Sequence, residues 1–380
     1  MNKTKVIVVQ NSFSIYRQGI FNRLNERYNF RLLHSKTNSG IKQIERNYSR
    51  QVGRIKYARK NTAVYLFCLK EIFQFKPDII IHEFTPSILS LFVIVGFRKI
   101  LNYKLILWGH GYNRSKKIKR HSLTFILRKW LINRSDAILF YSYRNKEIIN
   151  NYIPNKKSFI AYNSLDTARL NIIYNDYKSK GKECIKEELG IKYKYILIFI
   201  GRLLNEKVLP NYFMGVVKNV LNAIENTGVF IIGDGPSKNE MILLAKKNNI
   251  NNIHFLGSIN DNKLSGKYLY ISDLLLIPGY VGLAVNHAFS FNLPVITYEE
   301  GLNGPFHSPE IEYVVHKKTG YLAKPFDTED MSNFIIEYLQ NPDMQVMMKN
   351  EIQKCILEKC NINNMMHGFV ECIDFCNKEK

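Results

Sequence analysis

The chain is poor in the features that mark several protein classes. Six cysteines stand at 68, 184, 355, 360, 372 and 376, with no Cys-x-x-Cys pair and no histidine pair at ligand spacing. That pattern argues against a zinc site and for reduced, structural thiols of a cytosolic protein. No apolar run is long enough to cross a bilayer: Ile88 to Phe97 is about half the length required and ends at Arg98 and Lys99. The segment Met1 to Gln10 has only a short apolar run and enters a strand directly, so no signal peptide is expected. Internal repeats, extended low-complexity segments and an Asp-x-Asp metal motif are also missing.

Acidic residues are scarce in one half only. The net charge is +22; residues 1–165 carry 31 Lys and Arg against 7 Asp and Glu, or +24, whereas the remainder carries 23 against 25, or −2. A lysine-rich proteome would raise the charge of both halves. The asymmetry therefore favours a polyanionic partner for the first half: anionic lipid, a lipid-linked diphosphate or nucleic acid.

What is present suits two cores. The 380 residues are 46% hydrophobic and 13% aromatic, enough to fill two domains of somewhat under 200 residues. Near-continuously apolar runs separated by helical patterns read as buried parallel strands: Lys5–Gln10, Phe30–His34, Pro77–Glu83, Lys104–Trp108 and Asp136–Phe140, then Tyr195–Ile200, Gly228–Ile232, Ile253–Leu256, Asp273–Ile277 and Pro294–Ile296. Two doubly wound domains are expected, 1–165 and 166–380, with a polar connector near 165–194 through Ser179-Lys180-Gly181-Lys182. The last helix is free to pack back on the first domain.

In such sheets ligands bind beyond the carboxyl ends of the strands. The run Ile196 to Lys207 carries a strand into a turn that offers Gly201, Arg202 and Lys207 to a polyanion, a phosphate grip. Gly233-Asp234-Gly235-Pro236 follows the next strand, and Pro278-Gly279-Tyr280-Val281-Gly282-Leu283 opens a helix through Ala288. His110, in Trp108-Gly109-His110-Gly111-Tyr112-Asn113, ends a buried strand of the first domain; its glycine neighbours permit unusual backbone angles and close approach to a ligand, or it is a turn histidine bonded to backbone.

These residues resemble the nucleotide-sugar half of a GT-B glycosyltransferase of family 4 (glycosyl transferases group 1). Gly201-Arg202-Leu203 and Lys207 match its Gly-Arg-Leu-x-x-x-Lys-Gly turn, with Val208 where Gly is usual. Gly233-Asp234-Gly235-Pro236 matches its Gly-x-Gly-Pro, and Phe255-Leu256-Gly257 its Phe-x-Gly. Asn163-Ser164-Leu165-Asp166-Thr167 is similar to its crossing between domains, and Pro309-Glu310-Ile311 and Thr319-Gly320-Tyr321-Leu322 resemble two later motifs. The likeness covers roughly residues 160–340 well and the first domain weakly.

One departure stands out. The paired glutamates of Glu-Gly-Phe-Gly-Leu-x-x-x-Glu-Ala are replaced by Gly279 and His287, which resembles a variant subset of the family. His287 can still bond ribose hydroxyls, or it is a helix residue packed under the nucleotide loop. The amides of Gly279, Tyr280 and Val281 precede a helix and could face a phosphate. Glu310, with Glu312, could supply the missing carboxylate to the donor sugar, or the two form a solvent-exposed loop pair.

The resemblance implies two Rossmann-like domains facing a central cleft and retaining transfer from a nucleotide diphosphate sugar, with His110, Arg202 and Lys207 at the reacting centre; it also implies that neither a metal nor a cofactor is required, which fits the missing Asp-x-Asp motif. Gly201, Gly233, Gly235, Gly279, Tyr280, Val281, Gly282, Leu283, His287 and Glu310 would bind the donor. The acceptor is expected to be a glycan or lipid-linked glycan of bacterial surface polysaccharide assembly. Two basic stretches with apolar or aromatic residues interleaved, Arg46–Lys60 and Arg114–Arg134, fit a peripheral protein on the inner, anionic face of the cell membrane. The second also fits a half-buried helix with solvated charges. The rival readings are a catalytically silent GT-B-like binding subunit and a nucleic-acid-binding protein, for which no recognition motif is found.

Overall fold

The computed structural model describes residues 3–36, 43–57, 62–65, 68–112 and 118–378. The chain forms two compact units, one of residues 1–165 with 362–380 and the other of residues 166–361.

Unit 1 is built on a parallel sheet of seven strands: β1 (Lys5–Gln10), β2 (Asn29–His34), β3 (Ser49–Gln51), β6 (Ile79–Glu83), β7 (Lys104–Gly109), β8 (Ala137–Phe140) and β9 (Ser158–Ile160), in the order β3-β2-β1-β6-β7-β8-β9. A separate antiparallel hairpin comprises β4 (Arg54–Tyr57) and β5 (Thr62–Tyr65). Alternate residues of each strand go to opposite faces. Val6, Val8, Ile79, Ile81, Ile106 and Trp108 enter one core, and Ile7, Val9, Ile80, Leu105 and Leu107 the other. Both faces are covered, which is why these strands read as unbroken apolar runs.

The helix Ile362–Lys378 closes the first of those cores. Its Phe369 meets Trp108 edge-on at 4.8 Å between ring centroids, and Gly368 lies directly against the backbone of Ile160. The last helix of the chain therefore belongs to unit 1, and the chain passes between the units twice.

Unit 2 has six parallel strands, β10 (Tyr195–Ile200), β11 (Thr227–Ile232), β12 (Ile253–Gly257), β13 (Leu274–Leu276), β14 (Val295–Tyr298) and β15 (Gly320–Ala323), ordered β12-β11-β10-β13-β14-β15. The chain runs outward from β10 through β11 and β12, then returns to β13 on the other side. The strand order thus reverses between β10 and β13, the position where ligands of such sheets bind. The expected polar connector is not a linker: residues Thr167–Lys180 and Lys182–Leu189 are helices of unit 2, and Leu170, Ile173 and Tyr177 are buried.

One device recurs in both sheets. An aspartate just before a strand accepts an amide from the first or second residue of the neighbouring strand: Asp78 from Lys5 at 2.8 Å, Asp136 from Leu105 at 2.7 Å and Asp273 from Ile196 at 2.7 Å. Each bond satisfies a strand-end donor that the ladder leaves over and fixes the stagger between neighbours.

The seating of the last helix is testable. A Cβ at Gly368 would lie 1.9 Å from the Ile160 carbonyl oxygen. Gly368→Ala should cost about 1–3 kcal/mol of overpacking, against a helix-propensity gain of roughly 1 kcal/mol. Gly368→Val should cost more. Urea midpoints that do not fall in either variant would show that the helix is seated elsewhere.

Candidate functional site

The loops after β10, β11 and β13 meet at the reversal point of unit 2. Leu203 donates to the Asp234 carbonyl at 2.9 Å and Ser237 to the Leu203 carbonyl at 3.0 Å, which ties the Gly201–Lys207 loop to the Gly233–Gly235 loop. On the other side Gly279 donates to the Lys207 carbonyl at 3.0 Å and Tyr280 to the Glu206 carbonyl at 3.1 Å. Two of these positions require glycine. Gly201 has φ +144° and a Cβ there would stand 2.6 Å from the Lys207 ammonium, while a Cβ at Gly279 would stand 2.3 and 2.4 Å from the Glu206 and Lys207 carbonyl oxygens.

Lys207 sits in the middle of this packing, 9% exposed, with Nζ 5.7 Å from the centre of the Tyr280 ring. Burial lowers its pKa from 10.5 to about 8; Glu310 opposes the shift and Arg202 adds to it. Glu310 is itself buried, 1% exposed, in the 3₁₀ turn Pro309–Tyr313, so the alternative of an exposed Glu310–Glu312 loop pair is corrected. Arg202 is exposed at the mouth of the loop. His287, half-buried on the helix Ala284–Ser290, has its pKa drawn down to about 4 by burial and by the charge of Lys207. It is a neutral imidazole at pH 7, able both to donate and to accept.

A residue without a sequence signal organises the remaining loop. His307, 2% exposed, accepts from the Val281 amide through Nδ1 at 3.1 Å and, with the ring in that tautomer, donates from Nε2 to the Tyr298 carbonyl at 2.8 Å. The Ser308 amide donates back to the Val281 carbonyl at 3.1 Å. With these bonds the amides of Gly279, Tyr280 and Val281 are all spoken for within the protein, so the expectation that they face a phosphate is overturned. His307 lies 26 positions from Val281 in no recognisable motif. Gly282 and Leu283, both half-buried, complete the turn into the helix that carries His287.

Of the sequence-derived residues, Gly201, Arg202, Lys207, Gly233, Gly235, Gly279, Tyr280, Val281, Gly282, Leu283, His287 and Glu310 belong to unit 2. His110 belongs to unit 1, where it follows β7 and lines a cavity of about 340 Å³ with Glu83, Tyr112, Arg128 and Tyr141. Its ring packs on Tyr141 at 4.9 Å. Glu83, not singled out from sequence, accepts from the Asn11 amide at 2.7 Å and the Thr85 hydroxyl at 3.2 Å, and burial raises its pKa.

The depressed pKa of Lys207 carries a stability signature. Between about 8 and 10.5 the unfolded chain holds the lysine proton and the folded chain does not, so the lysine's contribution to stability rises with pH across that window, by on the order of 3 kcal/mol in total. Stability of wild type relative to Lys207→Met should therefore increase from pH 7.5 to 10. A pH-independent difference in urea midpoint would place the amine in water.

The family model for glycosyl transferases group 1 matches residues 181–355, which takes in every loop of this site. An uncharacterized glycosyltransferase of Methanocaldococcus jannaschii is 30% identical over 281 residues, 69% of this chain and 67% of that protein. Among solved structures, sucrose-phosphate synthase from Thermosynechococcus elongatus aligns at TM-score 0.74 with 13% identity, covering 100% of both chains. The Anabaena protein HepE in complex with UDP aligns at TM-score 0.71 with 13% identity, covering 98% of this chain and 100% of that one. The fold is GT-B, and the chain belongs to the group 1 family of glycosyl transferases.

Proposed function

We propose that this glycosyltransferase moves a hexosyl unit, with retention and without a metal, from a nucleoside diphosphate to a glycan or lipid-linked glycan acceptor. The observation that carries the reading is the buried Lys207 at the reversal point of the unit 2 sheet, flanked by Arg202, His287 and Glu310. An ammonium held out of water, with its pKa already lowered, gains most from a ligand that brings negative charge. A diphosphate supplies that charge, and HepE, a structural neighbour, was solved with UDP.

The chemistry follows from where charge develops. As the bond from the anomeric carbon to the diphosphate oxygen breaks, negative charge grows on the leaving phosphate, and Lys207 and Arg202 stabilise it in place. The acceptor hydroxyl attacks from the same face and its proton passes to the leaving oxygen, so no separate base is needed. His287 holds the ribose hydroxyls through its neutral ring. Glu310 favours the charged form of Lys207 against the burial that lowers its pKa. The reading assigns His110, which follows β7 in unit 1, to the reacting centre.

Surface polysaccharide assembly at the inner face of a membrane is the setting this reading favours. The helix Leu123–Arg134 buries Leu131 and Ile132 yet leaves Leu123 71% and Ile126 53% exposed, beside exposed Arg120 and Lys129. Such a face suits an anionic interface. Of the two basic stretches, residues 58–60 at the end of Arg46–Lys60 and residues 114–117 at the start of Arg114–Arg134 lie outside the described residues.

Arg202→Ala and Lys207→Ala should each lower turnover about a hundredfold or more while the protein stays folded, the usual scale for losing one preorganised charge at a leaving group. Donor turnover that is unchanged in both variants, or absent from the wild type, would remove the mechanism. The membrane element is checked separately by co-sedimentation: binding to anionic vesicles at low salt, none to neutral vesicles, and weaker binding when Arg46, Arg50, Arg120 and Lys129 are neutralised together. Binding that ignores lipid charge would refute it.

A further inference from the structure

Two cavities of unit 1 lie beyond the carboxyl end of β7, and donor binding uses neither as a whole. The polar one, of about 340 Å³, presents Glu83, Thr85, His110 and Tyr141. Its neighbour, of about 670 Å³, is walled mainly by carbon from Ile118, Phe125, Ile132, Ile149 and Ile153, with Lys119 at its edge. Tyr112 and Arg128 line both. Each is of the size that takes a small molecule or part of one.

Arg128 is the hinge of the argument. It projects from the helix Leu123–Arg134, half-buried, and among the described residues no carboxylate pairs with it; burial alone draws its pKa down. A guanidinium withdrawn from water without a counter-ion is unfavourable, and its planar fork fits an oxyanion such as a phosphate in bidentate fashion. Glu83, oriented by the Asn11 amide and the Thr85 hydroxyl, keeps acceptor capacity for a sugar hydroxyl on the polar side.

We propose that the two chambers form one acceptor site for an anionic amphiphile: a hydrocarbon chain along Phe125, Ile132, Ile149 and Ile153, its phosphate on Arg128 and Lys119, and the attached sugar between Glu83 and His110. The identity of the occupant as sugar acceptor rests on the glycosyl-transfer reading; the amphiphile site itself rests on the cavities. Hydrocarbon and phosphate must act together, since the apolar wall, Arg128 and Lys119 all line the larger chamber.

Calorimetry on the full chain with decyl phosphate below its micelle concentration, decyl glucoside and inorganic phosphate tests this, with UDP titrated in parallel. Decyl phosphate should bind at least about tenfold more tightly than either other probe, and Arg128→Gln and Ile149→Trp should each lose about tenfold while UDP affinity is unchanged. Lys119 is exposed, so Lys119→Gln cannot disturb the core and should lose affinity in the same direction. Decyl phosphate that binds no better than decyl glucoside removes the anion site, and binding no better than inorganic phosphate removes the chain site. Affinity unaltered in Arg128→Gln and Lys119→Gln overturns the proposal. Should UDP fail to bind while decyl phosphate behaves as expected, the donor reading falls and the amphiphile site stands.

Discussion

The approach of two loops to van der Waals contact, with one amine sealed between them, governs the chemistry of unit 2. The Gly201 and Gly279 loops close on Lys207 from either side, and each lacks the side chain that would keep them apart. Water is excluded, the ammonium is poorly solvated, and Glu310 is the acidic group that favours its charged form. A site left in this state has unspent attraction for anions, and more for a dianion than a monoanion. On the proposed reading, binding energy is directed toward a leaving group whose charge grows, which is where it accelerates a reaction rather than merely tightening the ground state.

The same contact explains why position 279 holds a glycine. A glutamate at position 279 would need its Cβ inside the carbonyl oxygens of Glu206 and Lys207. The glycine is therefore part of a consistent set: Gly279 lets the loops meet, Thr297 donates to the Gly279 carbonyl at 3.1 Å, and His307 pins Val281.

Legibility in the sequence followed solvent exposure. Strands buried on both faces, such as Tyr195–Ile200 and Ile79–Glu83, were apparent because every residue had to be apolar or nearly so. The edge strand Ser49-Arg50-Gln51 and the hairpin beside it carry polar residues and were missed, since an edge needs little burial. The Gly201–Lys207 loop at the reversal point could be located because it directly follows a buried apolar strand and carries a glycine at its turn. His307 and Glu83 could not, because their roles depend on which backbone groups the fold brings to them from far along the chain. The amides of the Gly279 loop were misassigned for a related reason: local spacing locates a helix start but not the carbonyls of the loop packed against it.

Return of the last helix to unit 1 makes unit 2 an insertion within its neighbour. Trp108 and the apolar face around it wait for Phe369, Cys372 and Ile373, which are translated after all of unit 2. At residue 361 every strand of unit 2 is in hand, whereas the first sheet still shows an open apolar face. Synthesis order and folding order are thus inverted: the unit begun first is finished last, and that uncovered face is the surface most exposed to aggregation or to chaperones on the ribosome.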